Sequence, residues 1–395
     1  HEHNAIGLQN LQDGIGLPLG EKTIADRMKE AGYKTGLVGK WHVGATKPYH
    51  PLNRGFDEFC GFLHEGHFYV PPPYPGVISW FRVKSHPGDG PRWRKGDYVF
   101  STHMGNTEPM YDRENPILRG FDEVEEKEFL TDALTREAIS FVRRHAGEPF
   151  FLFLSYNVPH SPLQATHEDM RRMSGIADIQ RRIFAAMIAN LDDNFGRLLA
   201  SLREHNLERD TLLIFLSDNG GPTRELTSSN APLREGKGSL CEGGIRIPFL
   251  MQWKGRLPAN EVYREPVISL DIMPTALAAA GAARPADLDG VDLLPYLTGK
   301  VSGTPHESLF WRYGSRIALR QGKWKLLWDG RDPAGAQPLE LYDLSADIGE
   351  QKNRAATEPA VYRRLKTALD QYNAQMVEPL WRSQGSGAKE NWPLG

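Results

Sequence analysis

Cysteine is nearly missing from this sequence: 395 residues carry only Cys60 and Cys241. Two thiols cannot build a disulfide framework, and these two lack the paired spacing of a zinc site. Charge of one sign is not in excess either. The net charge of -3 gives no global pull toward nucleic acid or an anionic membrane. No stretch approaches the ~20 apolar residues that span a bilayer, and no internal repeat or low-complexity tract occurs. The opening, His1-Glu-His-Asn4, lacks an initiator Met and the basic and apolar regions of a signal peptide; processing or truncation upstream is expected. What is present is ordinary globular composition, 40% hydrophobic and 25% charged, in a chain long enough for a large domain and a smaller one.

The pattern is organised around Thr211-Leu-Leu-Ile-Phe-Leu-Ser-Asp-Asn-Gly-Gly221. Its apolar run, without alternation, predicts a strand covered on both faces. The turn residues that follow place the Asp218 carboxylate beside the Asn219 amide at the strand's carboxyl end, where ligands bind in open α/β sheets. Adjacent hard oxygens suit Ca²⁺ or Mg²⁺, and an Asp-Asn-Gly turn that only reverses the chain fits equally.

Elsewhere, periodicity predicts helices over 21–32, 129–145, 183–202, 270–280 and 358–375, and strands over 34–38, 149–154 and 247–253. Asp192 and Asp193 read as carboxylates on a helix surface. Residues 1–20 read as loop, and the tail from Pro379 as irregular. Residues 47–116 crowd Pro, Gly, Trp, Tyr and Phe, the composition of a long binding loop. After residue 300 come four closely spaced, turn-punctuated segments, suggesting a small antiparallel sheet. The expected architecture is α/β, with a mostly parallel sheet flanked by helices over 1–300 and a smaller α+β subdomain over 301–395.

Three further clusters carry chemistry. Gly39-Lys-Trp-His-Val-Gly44 sets Lys40 and His42 two apart, on one side of the chain if extended; an ammonium and an imidazole there suit an oxyanion and a proton transfer. A surface Lys beside a packing His fits too. Asn157-Val-Pro-His160 follows a strand, which would put His160 on the same sheet edge as Asp218 and Asn219. In Arg234-Glu-Gly-Lys-Gly-Ser-Leu-Cys-Glu-Gly-Gly244, the glycines and Lys237 could cradle a tetrahedral anion, or form a solvated loop. Gly238 between Lys237 and Ser239 departs from the nucleotide-binding spacing.

Taken together, these stretches closely resemble the sulfatase family of the alkaline phosphatase superfamily. The resemblance is carried by Ala31-Gly-Tyr-Lys-Thr-Gly-Leu-Val-Gly-Lys-Trp-His-Val-Gly44, Gly55-Phe-Asp-Glu-Phe59, Leu216-Ser-Asp-Asn-Gly-Gly221 and Gly236-Lys-Gly-Ser-Leu-Cys-Glu-Gly-Gly-Ile-Arg-Ile-Pro248. It implies sulfuric ester hydrolysis with one Ca²⁺ ion and a formylglycine nucleophile made from Cys or Ser. By similarity Asp218 and Asn219 would be metal ligands, and Lys40 and Lys237 would bind sulfate oxygens. His42 would assist the formylglycine hydrate, and His160 would protonate the leaving alcohol. His67 resembles a substrate-pocket position. A periplasmic or secreted location is implied as well.

One departure weighs against activity. The family's nucleophile motif, Cys/Ser-x-Pro-Ser/Ala-Arg, matches nowhere in this sequence: Cys60 lies in Phe-Cys-Gly-Phe62 and Cys241 in Leu-Cys-Glu-Gly243. The first strand with its Asp-Asp pair is not found either. The expectation is therefore a sulfatase lacking its amino-terminal part and inactive as it stands, acting in complete form on a sulfated carbohydrate. Two alternatives stay open: a catalytically dead protein that binds sulfated glycans, and a phosphomonoester or phosphonate ester hydrolase of the same superfamily.

Overall fold

The computed structural model describes residues 14–109, 111, 115–330 and 339–377. Most of the expected amino-terminal loop and the tail from Pro379 lie outside them. The described residues divide into two compact units, residues 14–208 and residues from 209 onward.

In the first unit the elements are α1 (Ile24–Glu30), β1 (Lys34–Lys40), β2 (Glu58–Phe62), β3 (Val77–Arg82), β4 (Arg92–Lys95), β5 (Tyr98–Ser101), β6 (Leu118–Arg119) and β7 (Asp122–Glu123). They continue with α2 (Leu130–Arg144), β8 (Phe150–Ser155), β9 (Leu163–Thr166), α3 (His167–Arg172) and α4 (Ile179–Glu204). Thr23 and Asp26 cap α1 reciprocally: the Thr23 hydroxyl accepts from the Asp26 amide and the Asp26 carboxylate accepts from the Thr23 amide. The main sheet runs β7-β6-β2-β1-β8, with β2, β1 and β8 parallel. β1 is buried along its middle, as a strand covered on both faces should be. Gly36 makes room there for Phe141 of α2, whose ring would lie 2.5 Å from an added Cβ.

The aromatic-rich stretch 47–116 is not a loop. Its β3, β4 and β5 join β9 in a four-stranded sheet ordered β4-β5-β3-β9. The strands are short, and β3 finds its partners at residues 98–101 and 163–166, a non-local pairing that local periodicity does not carry. β8 also departs from expectation. It is half-buried, with Phe153 43% exposed, because β1 is its neighbour on one side and, among the described residues, no strand pairs with the other. In α4, Ile183, Met187, Leu198 and Leu202 are buried, but Ile188 is exposed. Asp193 pairs with Arg172 at the surface, as read.

In the second unit the elements are β10 (Leu213–Leu216), α5 (Glu242–Ile245), β11 (Phe249–Gln252), α6 (Ile272–Ala279), α7 (Leu294–Leu297), β12 (Leu309–Tyr313), β13 (Arg316–Gln321), β14 (Trp324–Trp328), β15 (Glu340–Asp343) and α8 (Pro359–Ala374). β10, expected to be covered on both faces, is half-buried and pairs antiparallel with β11 in a two-stranded sheet. β12 to β15 form the expected antiparallel meander. Strand alternation splits its side chains between two cores. Ile317, Leu319, Leu326 and Leu341 pack with Leu365 and Leu369 of α8, while Ala318, Leu327 and Tyr342 pack with Leu240 and Cys241. No helix among the described residues is long and apolar enough to cross a membrane.

His50 links this packing to pH. It lies between the rings of Phe59 and Phe121, its Nδ1 accepting from the Leu52 amide. Burial lowers its pKa to about 4. The unfolded chain therefore takes up a proton near pH 6.5 that the folded chain refuses until about 4, and stability falls as pH drops through that window. Thermal melts should show this loss, and H50Q should flatten the curve between those limits; parallel profiles would contradict it. Carboxylates such as Asp57, which Lys29 and Thr35 hold below the usual value although burial opposes them, act only at lower pH.

Candidate active site

Four of the expected site residues belong to the first unit. Lys40 is the last residue of β1, in register with Phe62 at the end of β2, and Gly39 is in register with Ser155 at the end of β8. Three parallel strands thus end together, at the edge where such sheets present ligand groups. The glycines here serve backbone packing rather than approach to a ligand. A Cβ on Gly39, whose φ is +111°, would lie 2.0 Å from the Ser155 carbonyl, and one on Gly61 1.9 Å from that of Gly39.

His42 follows with φ of 60°, so Lys40 and His42 are not two positions of one extended segment. The left-handed turn re-aims the chain after Lys40. The His42 amide donates to the Leu63 carbonyl at 3.2 Å, and its ring meets that of His64 edge-on at 5.7 Å. Asn115 holds the facing loop. Its Oδ1 accepts from the amides of Leu63 and His64 at 3.1 and 2.9 Å, and its Nδ2 donates to the Gly66 carbonyl at 2.6 Å.

His67 and His160 meet around Asn157. The buried Asn157 donates to the His67 carbonyl at 3.4 Å and accepts from the His160 amide at 2.7 Å. Tyr69 donates its hydroxyl to the carbonyls of Asn157 and His160, at 3.0 and 3.1 Å. Both imidazoles have their tautomer set by a carbonyl, which can only accept: His67 Nδ1 donates to Phe68 at 2.8 Å and His160 Nδ1 to Ser161 at 2.8 Å. In each ring Nε2 is then the nitrogen that gains and loses a proton. The structure therefore brings Lys40, His42, His67 and His160 to one end of the parallel strands.

Asp218, Asn219 and Lys237 belong to the second unit. β8 and β10 lie in different sheets, which corrects the expectation that His160 shares a sheet edge with Asp218 and Asn219; the partner of β10 is antiparallel β11. The turn and the glycine-rich loop are tied to each other. The Gly220 amide donates to Gly244 at 3.0 Å and the Lys237 amide to Gly221 at 3.4 Å. Asn230 bridges them, accepting from the Gly221 amide at 3.0 Å and donating to the carbonyls of Gly221 and Glu235, both at 2.9 Å. A Cβ on Gly220 would lie 1.7 Å from the Gly243 carbonyl, on Gly236 2.1 Å from Gly221, and on Gly244 2.1 Å from Ser239. These glycines press main chain on main chain, and so tie the segment that carries Lys237 to the turn that carries Asp218 and Asn219. Asn115 and Asn230 escaped the sequence reading; their signal is an Asn just ahead of a proline, at Pro116 and Pro232.

Asn219 donates Nδ2 to the Gly220 carbonyl at 3.0 Å, which leaves Oδ1 as its acceptor, and Asp218 is exposed. One carboxylate and one amide oxygen fall short of the six to eight that Ca²⁺ takes, and no group of three or more potential ligands occurs among the described residues. The described residues do not complete a metal site. Neither do the cysteines fit the nucleophile. Burial, then the Glu137 carboxylate, raises the Cys60 pKa to about 11; burial, then Glu350, raises that of Cys241 to about 11. Both stay protonated and weakly nucleophilic at neutral pH.

Parallel strands ending in cationic and imidazole side chains, together with a separate antiparallel meander, define an α/β protein. The comparisons narrow this. The family description "Sulfatase" matches residues 1–282, and "N-sulphoglucosamine sulphohydrolase, C-terminal" matches residues 236–375. N-acetylgalactosamine-6-sulfatase of Canis lupus familiaris is 32% identical over 337 residues, 82% of this chain and 57% of that protein. The crystal structure of Ps i-CgsB in complex with k-i-k-neocarrahexaose is 31% identical, with a TM-score of 0.80 over 98% of this chain and 80% of that one. A phosphonate monoester hydrolase of Silicibacter pomeroyi shares the fold at 19% identity and a TM-score of 0.62, covering 95% of this chain and 84% of its own. The chain belongs to the sulfatase family, whose members are sulfuric ester hydrolases. It spans less than two thirds of the length of the N-acetylgalactosamine-6-sulfatases it matches.

Replacing Gly220 by Ala should destabilise the second unit by about 1–3 kcal/mol, the usual cost of overpacking. A denaturant midpoint unchanged from wild type would show that the contact with Gly243 yields without cost.

Proposed function

We propose that this chain carries the sulfate-binding and proton-transfer residues of a sulfuric ester hydrolase acting on a sulfated carbohydrate. The observation that carries the reading is the gathering of Lys40, His42, His67 and His160 where β1, β2 and β8 end, in a chain of the sulfatase family. Lys40 binds sulfate oxygens and offsets the charge that grows on the ester as the bond to the alcohol stretches. Lys237, on the glycine-rich loop, is proposed as a sulfate ligand as well. His160, held by Ser161 with its proton-carrying Nε2 away from that carbonyl, protonates the departing alkoxide. His42 handles a second proton, and His67 contacts the sugar.

Asp218 and Asn219 would supply two ligands of a Ca²⁺ site, and that ion would offset charge on the bound sulfate. The family's formylglycine has no counterpart here, and no step is routed through either group. A carbohydrate substrate is supported by the likeness to a protein crystallised with a neocarrahexaose and by the half-buried Trp93 between exposed Arg92 and Arg94 on β4. A periplasmic or secreted site of action accords with the family.

Two measurements test this. The chain as it exists should hydrolyse an aryl sulfate, or an aryl phosphate, no faster than background, since no nucleophile motif occurs in its sequence; turnover well above background would overturn that. Binding of inorganic sulfate, followed by calorimetry, should weaken about tenfold to a hundredfold in K40A and in K237A, the worth of one charge-assisted contact. Unchanged affinity in both would remove the sulfate assignment. A second reading is a glycan-binding protein without turnover. It requires that a sulfated oligosaccharide bind, and its desulfated form not, with Ca²⁺ absent.

A further inference from the structure

The second unit holds a buried charge cluster that no step above uses. Lys325, on β14, is 0% exposed, and its Nζ lies 2.9 Å from Glu242 and 2.8 Å from Glu350, both also buried. Arg246 and Arg320 approach the other Glu242 oxygen at 3.6 and 3.9 Å, which balances the second carboxylate. Ion pairs at such depth are weak sources of stability, because desolvation offsets their attraction. Their placement here has a different consequence.

Glu350 grips the glycine-rich loop at both ends. Its Oε2 accepts from the backbone amide of Glu242 at 2.8 Å, and its carbonyl accepts from Arg234 Nη1 at 3.1 Å. Arg234 also donates to the Tyr342 hydroxyl at 2.9 Å. Lys237 sits between these two anchors. Between them too, Asp329 accepts from the Ser239 hydroxyl and the Leu240 amide, at 3.0 and 3.2 Å, and Arg316 donates to the Gly238 carbonyl. Leu240 and Cys241 are meanwhile packed on Ala318, Leu327 and Tyr342 of the meander. A loop with Gly236, Gly238, Gly243 and Gly244 has much conformational freedom to lose. Holding it before the anion arrives removes that cost from binding.

We propose that Lys325, Glu242 and Glu350 are positioning residues for Lys237, and that the meander serves as the rigid base against which they hold the anion-binding loop. The inference rests on Lys237 being a sulfate ligand, so the experiment separates the two. Inorganic sulfate is titrated into the full chain as wild type, K237A, K325M and the charge-balanced double variant K325M/E350Q. Each is studied at a temperature where circular dichroism shows it folded; the double variant covers the case in which K325M alone fails to fold. Amide hydrogen exchange is followed in the same samples over 234–245 and over the meander strands.

The expected result is that the clamp variants bind sulfate at least tenfold more weakly than wild type, with Lys237 intact. Exchange over 234–245 should rise at least tenfold while the meander keeps its protection. If K237A loses sulfate and the clamp variants bind within twofold of wild type, the positioning role is overturned and the sulfate role stands. If K237A binds as wild type does, the sulfate role of the loop falls and the positioning role falls with it. Exchange rising equally across loop and meander would mark a general loss of stability and would also overturn the proposal.

Discussion

Where β1, β2 and β8 end, three main chains run closer than any side chain would allow. Gly61 lies against Gly39, and Gly39 against Ser155, each near 2 Å from where a Cβ would sit. The same constraint returns in the second unit, where Gly220 meets Gly243 and Gly236 meets Gly221. Backbone packed on backbone leaves no side chain free to settle into another rotamer. The residues next to these glycines, Lys40 and His42 in one unit and Asp218, Asn219 and Lys237 in the other, take their backbone positions from these contacts. This is how loops, the least rigid part of a fold, come to hold groups for chemistry.

Around this constraint the polar side chains act as fasteners. The side chains of Asn115 and Asn230 each accept from amides and donate to carbonyls, and that of Asn157 donates to the His67 carbonyl. An amide side chain suits this work because it donates and accepts at once, without charge to desolvate. The imidazoles are treated differently: carbonyls fix Nδ1 of His67 and of His160, so a single nitrogen is left for proton transfer. Lys325 and its two carboxylates fasten at greater electrostatic cost, which is understandable where a glycine-rich loop must be held at both ends.

The motifs were legible because they are local. A strand followed by Asp-Asn-Gly, a Gly-Lys-Trp-His run and a basic glycine-rich loop each declare a turn and a reactive group within a few residues. The sulfatase family membership follows from their combination and from the matches across the chain. The role of the glycines was not legible in this way. A glycine that admits a ligand and one that admits another main chain look alike in sequence, and only a partner distant in the chain, as Ser155 is for Gly39, tells them apart.

By itself the sequence determined helices α1, α2, α4, α6 and α8, strands β1, β8, β10 and β11, the antiparallel meander and the family, because hydrophobic period and short motifs act over neighbouring residues. Tertiary structure alone decided three other things. It made strands of β2 and β3 within the expected loop, since their partners are distant in the chain. It placed β10 beside antiparallel β11 and left β8 half-buried, since burial depends on which strands pair. And it tied Lys237 through Glu242 and Glu350 to Lys325, since a buried charge finds its counter-charges in space and not in sequence.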